Sequence, residues 1–255
     1  MGRVSGKIAL VTGGSMGMGE SHCRLLAREG AKVIIVDVPF AKEDAEKLAQ
    51  ELNGDVILED ITDAKATADI QQYILNNYKG LDILVNNAGL AKGLAPIQEG
   101  NLDHWEQMID TNIKGVLYVT RAVTPGMVAR RRGHVINISS SAGKEVYLNG
   151  NVYCATKFAI EALTKAMRLD LHSHNIRVSQ VSPGHVEETE FAITRFDGDA
   201  ERARIYNDFQ PLKSSDVAEA IYWMATRPPH VNVQDIQLFS TQQASATVVN
   251  RSGRD

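Results

Sequence analysis

Tyr153 and Lys157 stand four residues apart in Asn151-Val-Tyr-Cys-Ala-Thr-Lys157, and Ser140 precedes the tyrosine by thirteen positions. If Asn151–His172 is a helix, the two side chains project from one face. An ammonium beside a phenol favours the phenolate, so a side chain of ordinary pKa about 10 becomes usable as a base nearer neutrality. A serine hydroxyl alongside can hold the oxygen that the phenol protonates or deprotonates. Together these groups are acid–base equipment for interconverting an alcohol and a carbonyl. The same spacing also describes the half-buried face of an ordinary helix, so the reading depends on whether the chain supplies an oxidant and a frame for it.

The frame is a chain of 255 residues, 44 % apolar and 23 % charged, with a net charge of −4. That suits one globular domain with a core that needs no staples. There is no basic footprint to draw a nucleic acid, and Arg130-Arg-Arg132 fits a solvated helix end. No apolar run approaches the roughly 20 residues that cross a bilayer, and the N-terminal stretch lacks the apolar core of a signal peptide. Cys23 and Cys154 are too few for a disulfide framework or a cysteine metal site. A reducing, cytoplasmic compartment is expected, with no membrane, nucleic-acid or metal partner.

Lys7–Val11 is a short apolar strand that runs into Thr12-Gly-Gly-Ser-Met-Gly-Met-Gly19 and then a helical pattern closing at Gly30. Strand, glycine turn and helix open a dinucleotide-binding unit, with the helix N-terminus presented to the phosphates. Gly13, Ser15, Met16, Gly17, Met18 and Gly19 are the expected cradle. The second strand, Lys32–Asp37, ends in an acid placed to accept the adenosine ribose hydroxyls and to repel a 2′-phosphate, and no Arg follows closely. NAD is expected rather than NADP. After a helix over Ala41–Leu52 and a strand at Val56–Leu58, Asp60 and Ile61 fall where an adenine would be met, while capping of the next helix competes for Asp60 on equal terms. The fourth strand, Asp82–Val85, ends in Asn86-Asn-Ala-Gly89, where Asn87, Ala88 and Gly89 let a cofactor ribose approach.

A helical region over Trp105–Arg131 carries Asn112, whose side chain bonds either backbone or a water held for proton relay. Pro125-Gly126 marks a break or kink in it. The fifth strand, His134–Ile138, delivers Ser139-Ser-Ser141, and the sixth, Ile176–Val181, leads to Pro183, Gly184 and Val186 beside the cofactor. From Glu187 to Gln210 the pattern loosens, as in a substrate lid. A helix over Val217–Ala225 and a strand within Val231–Phe239 complete the alternation. The expected fold is a single-domain α/β Rossmann fold over residues 1–255, with a doubly wound parallel sheet of about seven strands.

With these stretches in view, the chain resembles the short-chain dehydrogenase/reductase family. The motifs that carry the resemblance are Thr12-Gly-x-x-x-Gly-x-Gly19, Asn86-Asn-Ala-Gly89, Asn112, Ser140, Tyr153-x-x-x-Lys157 and Pro183-Gly184. The resemblance implies Tyr153 as general acid/base, Ser140 on the reacting oxygen, Lys157 on the nicotinamide ribose and lowering the tyrosine's pKa, and Asn112 seating a relay water. It also implies a homotetramer built on the helices of Trp105–Arg131 and Asn151–His172. Asp110-Thr-Asn-x-Lys-Gly, Gly150-Asn-Val-Tyr153, Thr189-Glu-Phe191 and Pro229-His-Val-Asn232 are similar to the branch of 3-hydroxy acid dehydrogenases, which act on serine, L-allo-threonine and related acids, with relatives that reduce sulfoacetaldehyde. That branch generally uses NADP with an Arg after the second strand, where this sequence has Asp37-Val-Pro-Phe.

An anionic substrate of this kind needs a cation other than Lys157. Lys144, Arg195 and Lys92 are the candidates, and Tyr147 and His185 are placed to line the same pocket. The expected activity is NAD-dependent oxidoreduction of a small hydroxylated, anionic substrate, a 3-hydroxy acid or hydroxysulfonate. A sugar or polyol dehydrogenase and a catalytically inert dinucleotide sensor are the alternatives.

Overall fold

The computed structural model describes residues 2–254. Seven parallel strands form one sheet in the order β3-β2-β1-β4-β5-β6-β7: β1 Ile8–Thr12, β2 Lys32–Asp37, β3 Asp55–Leu58, β4 Ile83–Asn86, β5 Gly133–Ile138, β6 Ile176–Pro183 and β7 Asp235–Leu238. Apolar, largely β-branched runs such as Val33-Ile-Ile-Val36 suit strands buried on both faces. Alternate residues feed two cores. Val11, Ile35, Val85 and Ile136 pack beneath α1 (Gly17–Arg28), α2 (Lys42–Leu52) and α8 (Ser214–Ala225). Leu10, Ile34, Leu84 and Val135 pack beneath α3 (Ala66–Asn77), α5 (Val116–Arg130) and α6 (Asn151–Leu171). The strand order reverses between β1 and β4, which opens a crevice at the carboxyl edge of the sheet. Among the described residues no helix is long and apolar enough to cross a membrane.

A buried polar chain crosses the centre of this apolar sheet. The Asn86 amide donates to Asn137 Oδ1 at 2.8 Å and to Thr120 Oγ1 at 3.0 Å, and the Asn137 amide donates to Thr164 Oγ1 at 2.8 Å. It ties β4 to β5 and both strands to α5 and α6.

Of the break or kink expected at Pro125, the break is not there: α5 runs through the proline, and the Thr124 hydroxyl donates to the Thr120 carbonyl at 2.8 Å just before it. The irregularity lies one helix earlier. Between α4 (Leu102–Ile109) and α5 the chain makes a π-helical turn over Asp110–Gly115. Its inserted residue turns Asn112 inward, where it is buried, and a side chain at Gly115 would collide with Ile61. The segment 187–210 is turns around one short helix, α7 (Phe191–Arg195).

Candidate active site

Every strand that bears a motif ends at the crevice. Gly13 and Gly17 both have positive φ, +60° and +54°, and a Cβ on Gly13 would press on the Ala88 backbone at 3.0 Å. The turn is braced from β4, with Thr12 Oγ1 accepting from the backbone N–H groups of Asn87 and Ala88 at 3.1 Å each, and the Asn87 side-chain Nδ2 donating to the Thr12 and Gly13 carbonyls at 3.0 Å. Met16 supplies no side-chain cap to α1, so the first amides of that helix are left for an anion. The Asp37 carboxylate is aimed at the turn by three donors: Ser15 N at 3.0 Å, Ser15 Oγ at 2.6 Å and Val38 N at 2.9 Å. A cradle closed to side chains, a free helix N-terminus and a fixed acid at the end of β2 fit an adenine dinucleotide. Asp60 is exposed and caps no helix: it closes a local turn, accepting from the Thr62 amide and hydroxyl at 2.9 and 2.8 Å, while α3 starts at Ala66 without a side-chain cap, and Ile61 is buried against Gly115.

A cavity of about 350 Å³ continues from this crevice, lined by Gly89, Ser140, Tyr153, Lys157, Pro183 and Gly184 among others. Ser140 enters a single 3₁₀ turn, Ser141–Gly143, whose Ala142 amide donates to its hydroxyl at 3.1 Å. Tyr153 and Lys157, one turn apart on α6, are both buried. The Lys157 ammonium donates to the Ile138 carbonyl at 3.0 Å and lies 5.9 Å from the Tyr153 ring centroid. Burial draws Lys157 down to about 8. Burial also pushes the Tyr153 phenol upward, and Tyr147 adds to this, while Ser140 and Arg195 pull the other way. The net shift is upward, opposite to what the spacing led us to expect, because desolvation outweighs the pull of nearby positive charge, and the Lys157 ammonium lies by the ring and a carbonyl.

Asn112 is committed to structure. Its Oδ1 accepts from Leu90 N at 2.8 Å, and its Nδ2 donates to Leu90 O at 2.8 Å and to Thr156 Oγ1 at 3.0 Å. Both amide hydrogens are used, and only the second lone pair of Oδ1 is left.

The three candidate cations part ways. Lys144 turns back toward α6, bonding Glu161 at 2.6 Å and pairing with Asp235, so it is not a cavity cation. The 3₁₀ turn reverses the chain just before it, which sends its side chain behind the site. Lys92 pairs with Asp197 at 2.9 Å outside this cavity. Arg195, at the end of α7, lines the cavity and is only 8 % exposed. Its guanidinium lies 5.2 Å from the Tyr153 ring, 5.4 Å from Tyr147 and 5.6 Å from Phe191, and it donates to the Tyr147 hydroxyl. Its Nε has no partner, and among the described residues it forms no ion pair. His185 lines the same wall against Tyr206 and Phe209, and burial, with Arg251 and Arg195 adding, holds its pKa down to about 4.

The sequence reading missed several walls. Thr189, Phe191 and Tyr206 come from the loosely patterned segment, and Thr247, Val249 and Arg251 come from the tail. The tail is hooked on by Gln243 Oε1, which accepts from His185 N at 2.8 Å, and by Arg251, which pairs with Asp208 at 2.6 Å. Nothing periodic marks the tail, whereas the aromatic residues of 187–210 were a usable signal.

Known proteins resemble this arrangement closely. The sequence model of the family described as short chain dehydrogenase matches residues 7–200. The NADP-dependent 3-hydroxy acid dehydrogenase YdfG of Salmonella typhi is 41 % identical over 249 residues, covering 96 % of this chain and 100 % of the relative. The serine 3-dehydrogenase of Agrobacterium fabrum is 38 % identical over 246 residues, covering 95 % and 97 %. The closed form of a serine dehydrogenase complexed with NADP+ superimposes with a TM-score of 0.91 at 40 % identity, covering 95 % of this chain and 98 % of that one.

Proposed function

The chain belongs to the short-chain dehydrogenase family, and on that premise we propose that it is an NAD-dependent oxidoreductase acting on a small 3-hydroxy acid or a similar hydroxysulfonate. The observation that carries the substrate class is Arg195, a buried guanidinium without a carboxylate partner beside the Tyr153 ring. Such a group is stabilised by an anion, and its fork suits a carboxylate or sulfonate.

Gly13 to Gly19, Asp37, Asn87 to Gly89, Lys157 and Pro183 to Val186 would hold the dinucleotide, which would supply a hydride acceptor or donor for the alcohol carbon. Ser140 and Tyr153 hold the substrate oxygen, and Tyr153 takes its proton on oxidation and returns it on reduction. Burial favours the protonated phenol of Tyr153, the form that reduction of a carbonyl requires. A protonated Lys157 favours the phenolate needed in the opposite direction. With both Asn112 amide hydrogens committed, a relay water would be seated by an acceptor, the spare lone pair of Asn112 Oδ1 or a neighbouring carbonyl. Segment 187–210 acts as the lid, bringing Arg195, Phe191 and Tyr206 over the substrate. Exposed Leu117, Phe158 and Leu169 on α5 and α6 support tetramer formation through these helices.

YdfG and the serine dehydrogenase of known structure are described with NADP, and the fixed Asp37 carboxylate supports NAD here. The test compares kcat/KM with each cofactor on 3-hydroxypropanoate. NAD should be preferred and Asp37→Ala should narrow the gap, whereas a wild-type preference for NADP overturns the cofactor assignment. Arg195→Leu should raise KM for the acid at least about tenfold, the loss of one charge-assisted bond. An unchanged KM, with polyols turned over, would favour the sugar-alcohol reading, and inertness across both panels would favour a sensor.

A further inference from the structure

Arg195 borders two cavities. One is the reaction cavity, and the other, of about 240 Å³, lies against α4 and is walled by Lys92, His104, Trp105 and Asp197 among others. The two walls share Tyr153 and Arg195. Free space on both sides means that packing alone does not fix the guanidinium. Tyr147 and three rings steady its head, and its backbone has to be held as well. α7 is a five-residue helix between two left-handed residues, Glu188 at φ +61° and Asp197 at +51°. A non-glycine residue keeps that conformation where its surroundings hold it. At Asp197 the hold comes from the loop after β4. The carboxylate pairs with Lys92 at 2.9 Å and lies 3.6 Å from His104, and the Gly93 N–H donates to the Arg195 carbonyl at 2.9 Å. Lys92, with His104 and Arg202 adding, keeps the Asp197 carboxyl below its ordinary range. The loop is itself pinned at Leu90, whose N–H and carbonyl both bond the Asn112 side chain.

We propose that Asp197 and Lys92 are positioning residues, whose ion pair clamps the end of α7 so that the Arg195 guanidinium serves the reaction cavity rather than the cavity behind it. The proposal rests on the reading of Arg195 as partner of the substrate anion and adds what places it there. Neither residue of the pair lines the reaction cavity, so each acts through Arg195. The clamp joins the lid to the loop whose first residues, Asn87 to Gly89, would hold the cofactor. Its strength is that of a partly exposed pair, with side chains 21 % and 54 % accessible. Losing such a pair changes an equilibrium by about two- to fivefold.

Two variants of the full chain test it. Asp197→Asn removes the charge and keeps a side chain that tolerates left-handed backbone, and Lys92→Met removes the partner. With NAD and separately with NADP, each should raise KM for 3-hydroxypropanoate about two- to fivefold, and the double variant no further than the worse single one. The value of kcat and NADH binding should hold, as should KM for the uncharged isostere 3-hydroxypropanamide. In an Arg195→Leu background, Asp197→Asn should add nothing to KM. Hydrogen exchange at Gly93 and across α7, read without substrate, should quicken in both single variants. Unchanged exchange overturns the proposal, as does an unchanged KM in an enzyme that turns over the acid. Equal losses on acid and amide, or additivity with Arg195→Leu, overturn it too. Quickened exchange in a protein that turns over neither acid nor amide leaves the clamp standing and overturns the hydroxy-acid reading instead.

Discussion

Lys157 is buried and its ammonium has one protein acceptor, the Ile138 carbonyl, so Lys157→Met should stabilise the fold while abolishing turnover. Its pKa falls from 10.5 to about 8 through burial. At 1.36 kcal/mol per unit, that shift means the charged lysine costs the folded state about 3 kcal/mol near pH 7. Leaving the Ile138 carbonyl unpaired takes back about 1 kcal/mol. A net gain of about 2 kcal/mol corresponds to a rise of roughly 4–8 °C in Tm for a chain of this size. The pH dependence gives a sharper check. Between pH 8 and 10.5 the unfolded chain holds a proton on this lysine that the folded chain has released, so wild-type stability rises with pH across that window. The penalty is complete below pH 8 and gone above 10.5, and the advantage of the variant should shrink over the same range. Urea unfolding of both proteins at pH 7, 9 and 10.5, at equal protein concentration, reads the difference with other titrations cancelling. A variant less stable than wild type at pH 7, or an advantage constant from pH 8 to 10.5, would refute the reasoning.

Three further outcomes are expected. Tyr153→Phe should lower kcat by about 100- to 10,000-fold while NADH binding, followed by fluorescence, stays unchanged. Lys144→Met leaves Glu161 buried with only the Ser139 and Ser182 hydroxyls, at 3.2 and 3.3 Å. It should cost about 1–3 kcal/mol in urea unfolding and lower kcat more than it changes KM, because the turn after Ser140 loses its anchor. Asn112→Ala removes three hydrogen bonds, one buried and two part-buried, and should destabilise by about 2–3 kcal/mol, measured the same way.

Local chemistry was legible in the sequence wherever one residue type has one physical use. The glycine turn, the apolar strands and the acid ending β2 all stand where composition and spacing put them. Side-chain destinations were harder to read. Lys144 and Arg195 look alike on paper, yet one meets Glu161 seventeen positions away and the other is enclosed by three rings. The difference comes from a reversal over Ser141–Gly143, which no periodicity announces. The π-turn was hidden because a helix with one inserted residue keeps its apolar pattern on either side. The sign of the Tyr153 shift was misjudged because four-residue spacing reports proximity along a helix and not the degree of burial, and burial decided it.

The Asn86–Asn137 bond has a consequence beyond the hydrogen bonds it makes. Parallel strands that are apolar on both faces carry no inside–outside alternation, so β4 and β5 could pair in neighbouring alignments with little loss of buried area. Sliding β5 by one residue would carry the Asn137 amide to the opposite face and set an isoleucine against Asn86. Sliding by two would keep the face but separate the amides by a full strand repeat of about 7 Å. Either slip strands buried amides at about 1–3 kcal/mol per unpaired group. The pair therefore acts as a key that only one alignment fits. It fixes the offset at which Asn87, one residue past Asn86, and Ser140, three past Asn137, arrive at the same edge.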